Sequence, residues 1–397
     1  MAKIASNTRK ISSIKKANRV DMPLLIIVLI LLAFGIVMVL SASAPSALSE
    51  YGNSYRYVIT QGIAAIGGLV LMFLIIKLND PIMKLLKKHY KLIYILSIAI
   101  LFTVLIPKVG VEGGGARRWI KIGVQMQPSE LTKIGLIIYF AGYFTDERNE
   151  FNNFSKQFKL EEFWKKALKP LIALMIPVAI LYFVQNHLSA GIVMGIIAVV
   201  IIIMAGCEFR YLFSLAAMGI AGLGFILLVF KDKLSSSFRS DRIEAWLRPF
   251  ENMSDKGYQT VQGLYAIGSG KLFGVGLGAS KQKYLYIPEA HNDFIFAIIA
   301  EELGFVGCGA VIILFTLFAI RGVLISIRAR DMFESLVAIG ITTLITAQAL
   351  INIAVVTNTI PNTGMSLPFL SYGGTSLLIL LGCVGLLLGV SRNAKKI

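Results

Sequence analysis

The chain has 397 residues, 56% of them hydrophobic and only 15% charged, with a mean hydropathy of +0.75. Ordinary soluble domains are roughly 45–50% apolar and about 25% charged, so a cytosolic globular enzyme and a disordered protein are excluded. Lys and Arg outnumber Asp and Glu by 39 to 22, but they fall mostly between long apolar runs, where they mark membrane topology and not nucleic-acid binding.

Basic residues Lys3 to Arg19, an apolar run from Met22 and the small residues near Ser41 imitate a secretory signal peptide. The run Pro23–Leu40 is long enough to cross a bilayer and other spans follow it, which predicts an uncleaved first helix. Ser12-x-x-Lys15 and Ser13-x-x-Lys16 match the spacing of an acyl-serine enzyme, but they sit in a polar tail with no Lys-Thr-Gly partner. Apolar stretches near 22–44, 57–78, 92–107, 129–145, 170–186, 189–206, 211–230, 293–318, 336–357 and 374–391 predict ten spans. Their hydrophobicity is continuous and not alternating, which selects helices over a barrel.

The expected fold class is therefore an all-α integral membrane protein. A tail over 1–21 precedes a polytopic domain over 22–391, with a large extracellular loop at 231–290 between helices 7 and 8, and 392–397 form a second tail. With both termini in the cytoplasm, cytoplasmic segments hold 24 Lys and Arg and outer loops 14, nine of those in the one long loop. That asymmetry sets the orientation. There is no convincing internal repeat, which argues against an inverted-repeat transporter. The three cysteines, Cys207, Cys308 and Cys383, are widely spaced in apolar surroundings and read as packed thiols.

On the outer side, Arg117, Arg118 and Lys121 with Trp119 form a compact cationic group suited to a diphosphate. Rim arginines can equally bind lipid headgroups. Gln127-Pro128-Ser129-Glu130 opens the next helix, with Ser129 as expected N-cap, and Lys133 near lipid needs a partner or an anionic ligand. His187 has too little company to be a metal ligand. The run Gly268-x-Gly270-Lys271 to Gly278 fails as a phosphate loop, because Leu272 follows the lysine, and reads as a tight turn with re-entrant backbone.

Asp293 stands where polar loop becomes apolar helix. A carboxylate there is commonly a cap, yet ionisable groups at membrane depth tend to be functional. On one helix, Glu301 would lie about 80° and Glu302 about 180° round from it, both about 12 Å deeper. They are therefore expected to hold helices together by buried hydrogen bonds, or to form a proton path in a transporter.

Taken in order, Gly115-Ala116-Arg117-Arg118-Trp119-Ile120, Gln127-Pro128-Ser129-Glu130-Leu131 and Asp241-Arg242-Ile243-Glu244-Ala245-Trp246 form the first part of a pattern. Gly257-Tyr258-Gln259, Leu264-Tyr265-Ala266-Ile267-Gly268 and Pro288-Glu289-Ala290-His291-Asn292-Asp293 running into Ala300-Glu301-Glu302-Leu303-Gly304 continue it. Pro361-Asn362-Thr363-Gly364 and Pro368-Phe369-Leu370-Ser371-Tyr372-Gly373-Gly374 complete it. Over nearly the whole chain this resembles the SEDS family of polytopic peptidoglycan polymerases, with its rod-shape, cell-division and sporulation members. The Pro-Glu-Ala-His and Leu-Tyr-Ala-Ile-Gly elements are most similar to the division and sporulation branches.

The resemblance implies an inverting glycosyltransferase acting on lipid II, with Asp293 as general base. One base can suffice, because a diphosphate leaving group departs without protonation if cations balance it. The expected substrate-binding residues are Arg117, Arg118, Trp119, Lys121, Lys133, Arg242, His291 and Ser371, with Glu130, Glu301 and Glu302 as intramembrane polar residues. No cofactor is certain, although a divalent cation (Mg or Mn) could share the charge. The resemblance also implies a class B penicillin-binding transpeptidase partner, other division proteins and a location in the bacterial cytoplasmic membrane at the septum. One departure stands out: Gln185-Asn186-His187-Leu188 occupies a place where the family often has Gln-Pro-Asp-Leu. A lipid II flippase and a structural scaffold are the rival readings, and a sporulation or elongation polymerase the near alternatives.

Overall fold

The computed structural model describes residues 19–113, 116–122, 124–147, 160–207, 246–251 and 257–394. In chain order these contain α1 (Met22–Tyr51), α2 (Arg56–Lys77), α3 (Asn79–Lys88), α4 (Tyr90–Leu101), β1 (Gly110–Gly113), β2 (Ala116–Ile122), β3 (Val124–Met126) and α5 (Pro128–Asp146). They continue with α6 (Lys169–Phe183), α7 (Leu188–Met204), α8 (Tyr258–Gly270), α9 (Ile295–Arg328), α10 (Met332–Val356) and α11 (Gly374–Asn393). Every predicted apolar stretch except 211–230, which lies outside the described residues, coincides with one of these helices.

Six of the described helices are long and apolar enough to cross a membrane, or seven if a pair bent by 80° at the α3–α4 junction counts as one span. The expectation of a wholly helical chain is corrected at one place: β1, β2 and β3 form a small antiparallel sheet in order of sequence. Its register pairs Val111 with Trp119 and Ile120 with Met126, with a shift between Val111 and Glu112.

Helix ends follow local chemistry. The Asp21 carboxylate accepts from the Leu24 N–H to start α1, and the Asp331 carboxylate accepts from the Glu334 N–H to start α10. At α5 the expected cap is corrected. Gln127 is the N-cap residue without a side-chain bond, Pro128 begins the helix, and the Ser129 hydroxyl is buried without a partner. Pro128 loses nothing there, since its missing N–H would have had no intrahelical acceptor.

α10 and α11 bury most of the residues of their apolar stretches, whereas α2 and the part of α9 beyond its buried start, Ile295 to Glu302, leave most of theirs facing outward. On α2, the exposed Ile59, Ile63, Ile66, Val70 and Phe73 recur every three or four residues and form one apolar stripe. In water such a stripe would be costly; against hydrocarbon it is not.

α9 is broken at Gly304, whose φ of 65° and ψ of −162° are not helical. The glycine-rich segment after α8 lies against the break. Val275 N–H donates to Glu301 O at 2.9 Å, Gly276 N–H to Glu302 O at 3.0 Å, Phe305 N–H to Lys271 O at 2.9 Å and Val306 N–H to Leu272 O at 3.1 Å. A Cβ at Gly304 would stand 2.4 Å from Gly274 N, so only glycine fits. The run that failed as a phosphate loop is thus the strand-like partner of an unwound helix.

The two glutamates close this clasp. Glu301 accepts from the Ser280 hydroxyl at 2.5 Å and the Lys281 N–H at 2.9 Å. Glu302 pairs with Lys283 Nζ at 2.9 Å and accepts from the Ser41 hydroxyl of α1 at 2.7 Å. Both are buried, as the expectation of helix-holding hydrogen bonds requires. Removing one partner of a buried ion pair leaves the other charge uncompensated. Glu302→Ala is therefore expected to cost about 3–5 kcal/mol, and Glu302→Leu with Lys283→Met to recover more than half of it, measured by thermal unfolding in detergent.

Candidate functional site

Residues Pro288 to Phe294 lead from the clasp into α9 and carry Asp293. Three side chains from other parts of the fold fix their main-chain carbonyls. Gln259 of α8 donates to Pro288 O at 3.0 Å, the Ser371 hydroxyl donates to Asn292 O at 2.7 Å, and Asn352 of α10 donates to Asp293 O at 2.8 Å. The Tyr372 N–H adds a bond to His291 O at 2.9 Å. The segment is irregular, yet each of these carbonyls is paired, as buried backbone requires.

The Asp293 carboxylate does not cap the helix. Phe294 is the N-cap residue of α9 and makes no side-chain cap bond. The bland reading of Asp293 is thereby removed. Its side chain is half-buried and lies against the turn Pro361 to Gly364, where a Cβ on Gly364 would stand 3.3 Å from Oδ2. Gly364 is exposed and has a φ of 63°, so that flank of the carboxylate stays open. Burial, and then the charge of Glu289, push the Asp293 carboxyl up to about 6, against the opposing pull of Arg118.

His291 is buried beside it, with its ring 4.4 Å from the Tyr57 ring and 5.6 Å from that of Tyr372. Burial holds its pKa down to about 4 although Glu50 opposes this, so His291 is neutral at pH 7 and is no cation for a phosphate. Glu289, whose Oε2 lies 3.6 Å from His291 Nε2, is raised by burial and by Glu50.

The small sheet divides the predicted cationic group. Side chains alternate along a strand; Arg118 shares its parity with the buried Ile120, and Arg117, Trp119 and Lys121 take the other. Arg118 donates from Nε to Gln185 O at 3.1 Å and from Nη2 to Asn186 O at 2.7 Å, close enough to Asp293 to act on its carboxyl. Arg117 is exposed, with Glu112 at 3.9 Å, and Lys121 is exposed. His187, where the chain departs from the family pattern, is buried beside Gln127 at 3.3 Å, and burial, then Arg118 and Lys133, hold its pKa down to about 3.

Lys133 has its partner in Glu130, 2.7 Å away one turn back on α5, and both are buried. The Ser371 hydroxyl, expected to touch substrate, is taken up by main chain: besides donating to Asn292 O it accepts from the Leu367 N–H at 2.7 Å. Glu301 and Glu302 belong to the clasp. Arg242 lies outside the described residues. Among the described residues no group of three or more His, Cys, Asp or Glu side chains is placed to hold a metal, so no step is assigned to a divalent cation.

Sequence reasoning gave no role to Asn352, Gln61, Gln259 or Lys283, although Gln259 stands in the family pattern. Gln61 of α2 donates to Ser371 O at 3.1 Å and accepts from the Gly373 N–H at 3.1 Å. A readable signal existed for two of them: Asn352 and Gln61 are amides inside otherwise apolar spans, which need a reason to be there.

This geometry can be set beside known proteins. The family model described as "Cell cycle protein", which groups FtsW, RodA and SpoVE, matches residues 22–396. The stage V sporulation protein E of Bacillus subtilis is 38% identical over 96% of this chain and 99% of its own length. A probable peptidoglycan glycosyltransferase FtsW of Geobacter sulfurreducens is 35% identical over 96% of this chain and 98% of its own. Among solved structures, one described as the structural coordination of polymerization and crosslinking by a peptidoglycan synthase complex matches with a TM-score of 0.74 at 26% identity, over 94% of this chain and 98% of that one. The rod shape determining protein RodA of Thermus thermophilus matches with a TM-score of 0.65 at 25% identity, over 95% and 98% of the two chains. With motif order, fold and near full-length coverage in agreement, the chain belongs to the FtsW/RodA/SpoVE family of multi-pass membrane proteins and is FtsW-like within it.

Proposed function

We propose that this protein is a peptidoglycan glycosyltransferase that polymerises lipid II at the outer face of the cytoplasmic membrane during cell division, with Asp293 as general base. The observation that carries the reading is the Asp293 carboxylate itself. It is half-buried at the mouth of an apolar bundle, unused as a cap, open on its Gly364 flank and raised toward neutrality. The names of the relatives support the activity.

In this mechanism the 4-hydroxyl of the acceptor sugar attacks the anomeric carbon of the growing chain. The hydroxyl proton passes to Asp293, the new glycosidic bond inverts the anomeric centre, and the lipid diphosphate leaves with the electron pair of the broken bond. Arg118 supplies a fixed positive charge near the carboxylate, and Arg117 and Lys121 supply exposed ones at the rim. The substrate brings its own activated bond, so an enzyme facing outward needs no nucleotide site. The apolar stripe on α2 and the outward side of α9 keep the protein in the lipid that holds the substrate's tail.

Ten spans, cytoplasmic tails at 1–21 and 392–397, an outer loop at 231–290 and a septal location complete the proposal. The partner is a class B penicillin-binding transpeptidase, a reading supported by the polymerization and crosslinking complex among the structural relatives. A sporulation polymerase is the second reading, supported by the 38% identity to stage V sporulation protein E. A flippase is less well supported. Glu301, Glu302 and Lys133, the groups a proton path would use, are each engaged in buried pairs or hydrogen bonds.

Purified protein with lipid II and its transpeptidase partner should make glycan strands, and Asp293→Asn should abolish them while still binding lipid II. Polymer from the asparagine variant would remove Asp293 from the chemistry, and translocation without polymer in liposomes would establish the flippase.

The base works only when ionised, so activity is present above about 6 and is lost as pH falls through that value. An acid limb near 6 is expected in kcat/KM. Arg118→Gln removes a favourable charge and should move that limb to higher pH, readable from the pH–rate profile. Gly364→Ala places a methyl beside Oδ2 at a positive φ, and is expected to lower kcat/KM by about 10-fold or more in the same assay.

A further inference from the structure

Asn352 sits one turn before the end of α10, with no surface exposed. Its amide nitrogen donates to two carbonyls on separate loops, Asp293 O at 2.8 Å and Met365 O at 2.6 Å. Both acceptors are main-chain oxygens, so the amide can sit in one orientation only, with Oδ1 turned away. That Oδ1 is buried and has no partner. A buried acceptor left without a donor is costly; in return the amide supplies donors to two main-chain carbonyls that buried backbone cannot leave unpaired.

The two carbonyls bring together the two halves of the site. Asp293 carries the carboxylate; Met365 follows Gly364, whose missing Cβ leaves the carboxylate its open flank. Immediately after Asp293, Phe294 is fully buried with its ring against Gly263, where a Cβ would stand 2.9 Å away. Immediately before it, Asn292 O is held by Ser371. The main chain of Asp293 is thus pinned on both sides, and its own carbonyl is tied through one amide to the turn its carboxylate faces.

We infer that Asn352 is a positioning residue for the Asp293 carboxylate: it touches no substrate, and it sets the distance and angle at which the base meets the acceptor hydroxyl by clamping the 293 and 365 carbonyls to α10. This rests on the role proposed above for Asp293. Proton transfer in an attacking complex is sensitive to displacements of about 1 Å, which can cost about 100-fold in rate, so a clamp at the base's own peptide acts directly on the chemical step.

The test uses the full chain with its transpeptidase partner and lipid II. Asn352→Asp removes the donors at nearly constant volume, and Asn352→Gln keeps them but displaces them by one methylene. Both are expected to lower kcat by about 10- to 100-fold, with the KM for lipid II changed less than about twofold. Lipid II binding measured in an Asp293→Asn background should be the same with and without the Asn352 change. In the neutral Asn352→Gln variant the acid limb of kcat should move to lower pH, because a loosened carboxylate is better solvated.

Three results overturn the inference: kcat equal to wild type in both variants, a loss that only follows the amount of folded protein with an unmoved pH profile, or a raised KM at constant kcat. The last would make Asn352 a substrate contact. Failure of the underlying reading looks different, since the wild type would then make no polymer, or Asp293→Asn would polymerise as well as wild type.

Discussion

Hydrocarbon offers a peptide group no hydrogen bond, so irregular backbone at membrane depth must be answered by the protein itself. The break in α9 at Gly304 is where this constraint governs the rest. Unwinding there frees carbonyls and amides of residues 301 to 306, and the segment 271–276 pairs with them in place of the helical ladder. Glu301 and Glu302 then use their carboxylates on the amides of 280–282, the Ser41 hydroxyl and the Lys283 ammonium. Without these bonds the loop that delivers Pro288 to Asp293 would have no fixed course. The glycines at 274 and 304 are required by contact distance, and the glutamates by the number of donors they must satisfy.

The chemistry of the site follows from how few charges it contains. Asp293 is ionisable near neutrality and has Arg118 within electrostatic reach, while His187 and His291 are held neutral by burial. A neutral imidazole neither repels an approaching cation nor pairs with the carboxylate. Among the described residues, Arg118 is the cation that acts on the base, opposed by Glu289, and the Gly364 flank stays open. This suits a reaction whose leaving group needs charge balance and no proton, and it contrasts with glycosidases, where a second carboxyl group must act as acid.

The architecture was readable because spans are long and apolar: apart from α3 and α8, which no predicted stretch covers, the helices from α1 to α11 fall where hydropathy places them. Asp293 stood out in the sequence because an ionisable group at membrane depth needs a reason to be there. What escaped was the hydrogen bonding that a pattern of hydrophobicity does not encode. The small sheet was invisible because its strands are short and, among its described side chains, Ile120 is the buried one. Ser129 looks like a cap in the sequence, but Gln127 takes that position once Pro128 starts the helix. Arg117, Arg118 and Lys121 look equivalent in a row, and strand alternation separates them. Ser371 looks like a ligand contact, and its hydroxyl is consumed by Leu367 and Asn292. In each case the residue type was informative, and the surroundings that decide its role are set by the fold.

The break in α9 also has a mechanical meaning. A continuous helix passes an axial push from end to end, because each turn is bonded to the next. At Gly304 part of that succession is replaced by sideways bonds to Lys271 and Leu272. A displacement of the Ile295 end is shared with the clasp and with α1 through Ser41, and is not delivered whole to Arg328. The two ends of α9 are therefore coupled to each other less directly than the ends of an unbroken helix, and the Ile295 end is tied instead to the glycine-rich segment beside it.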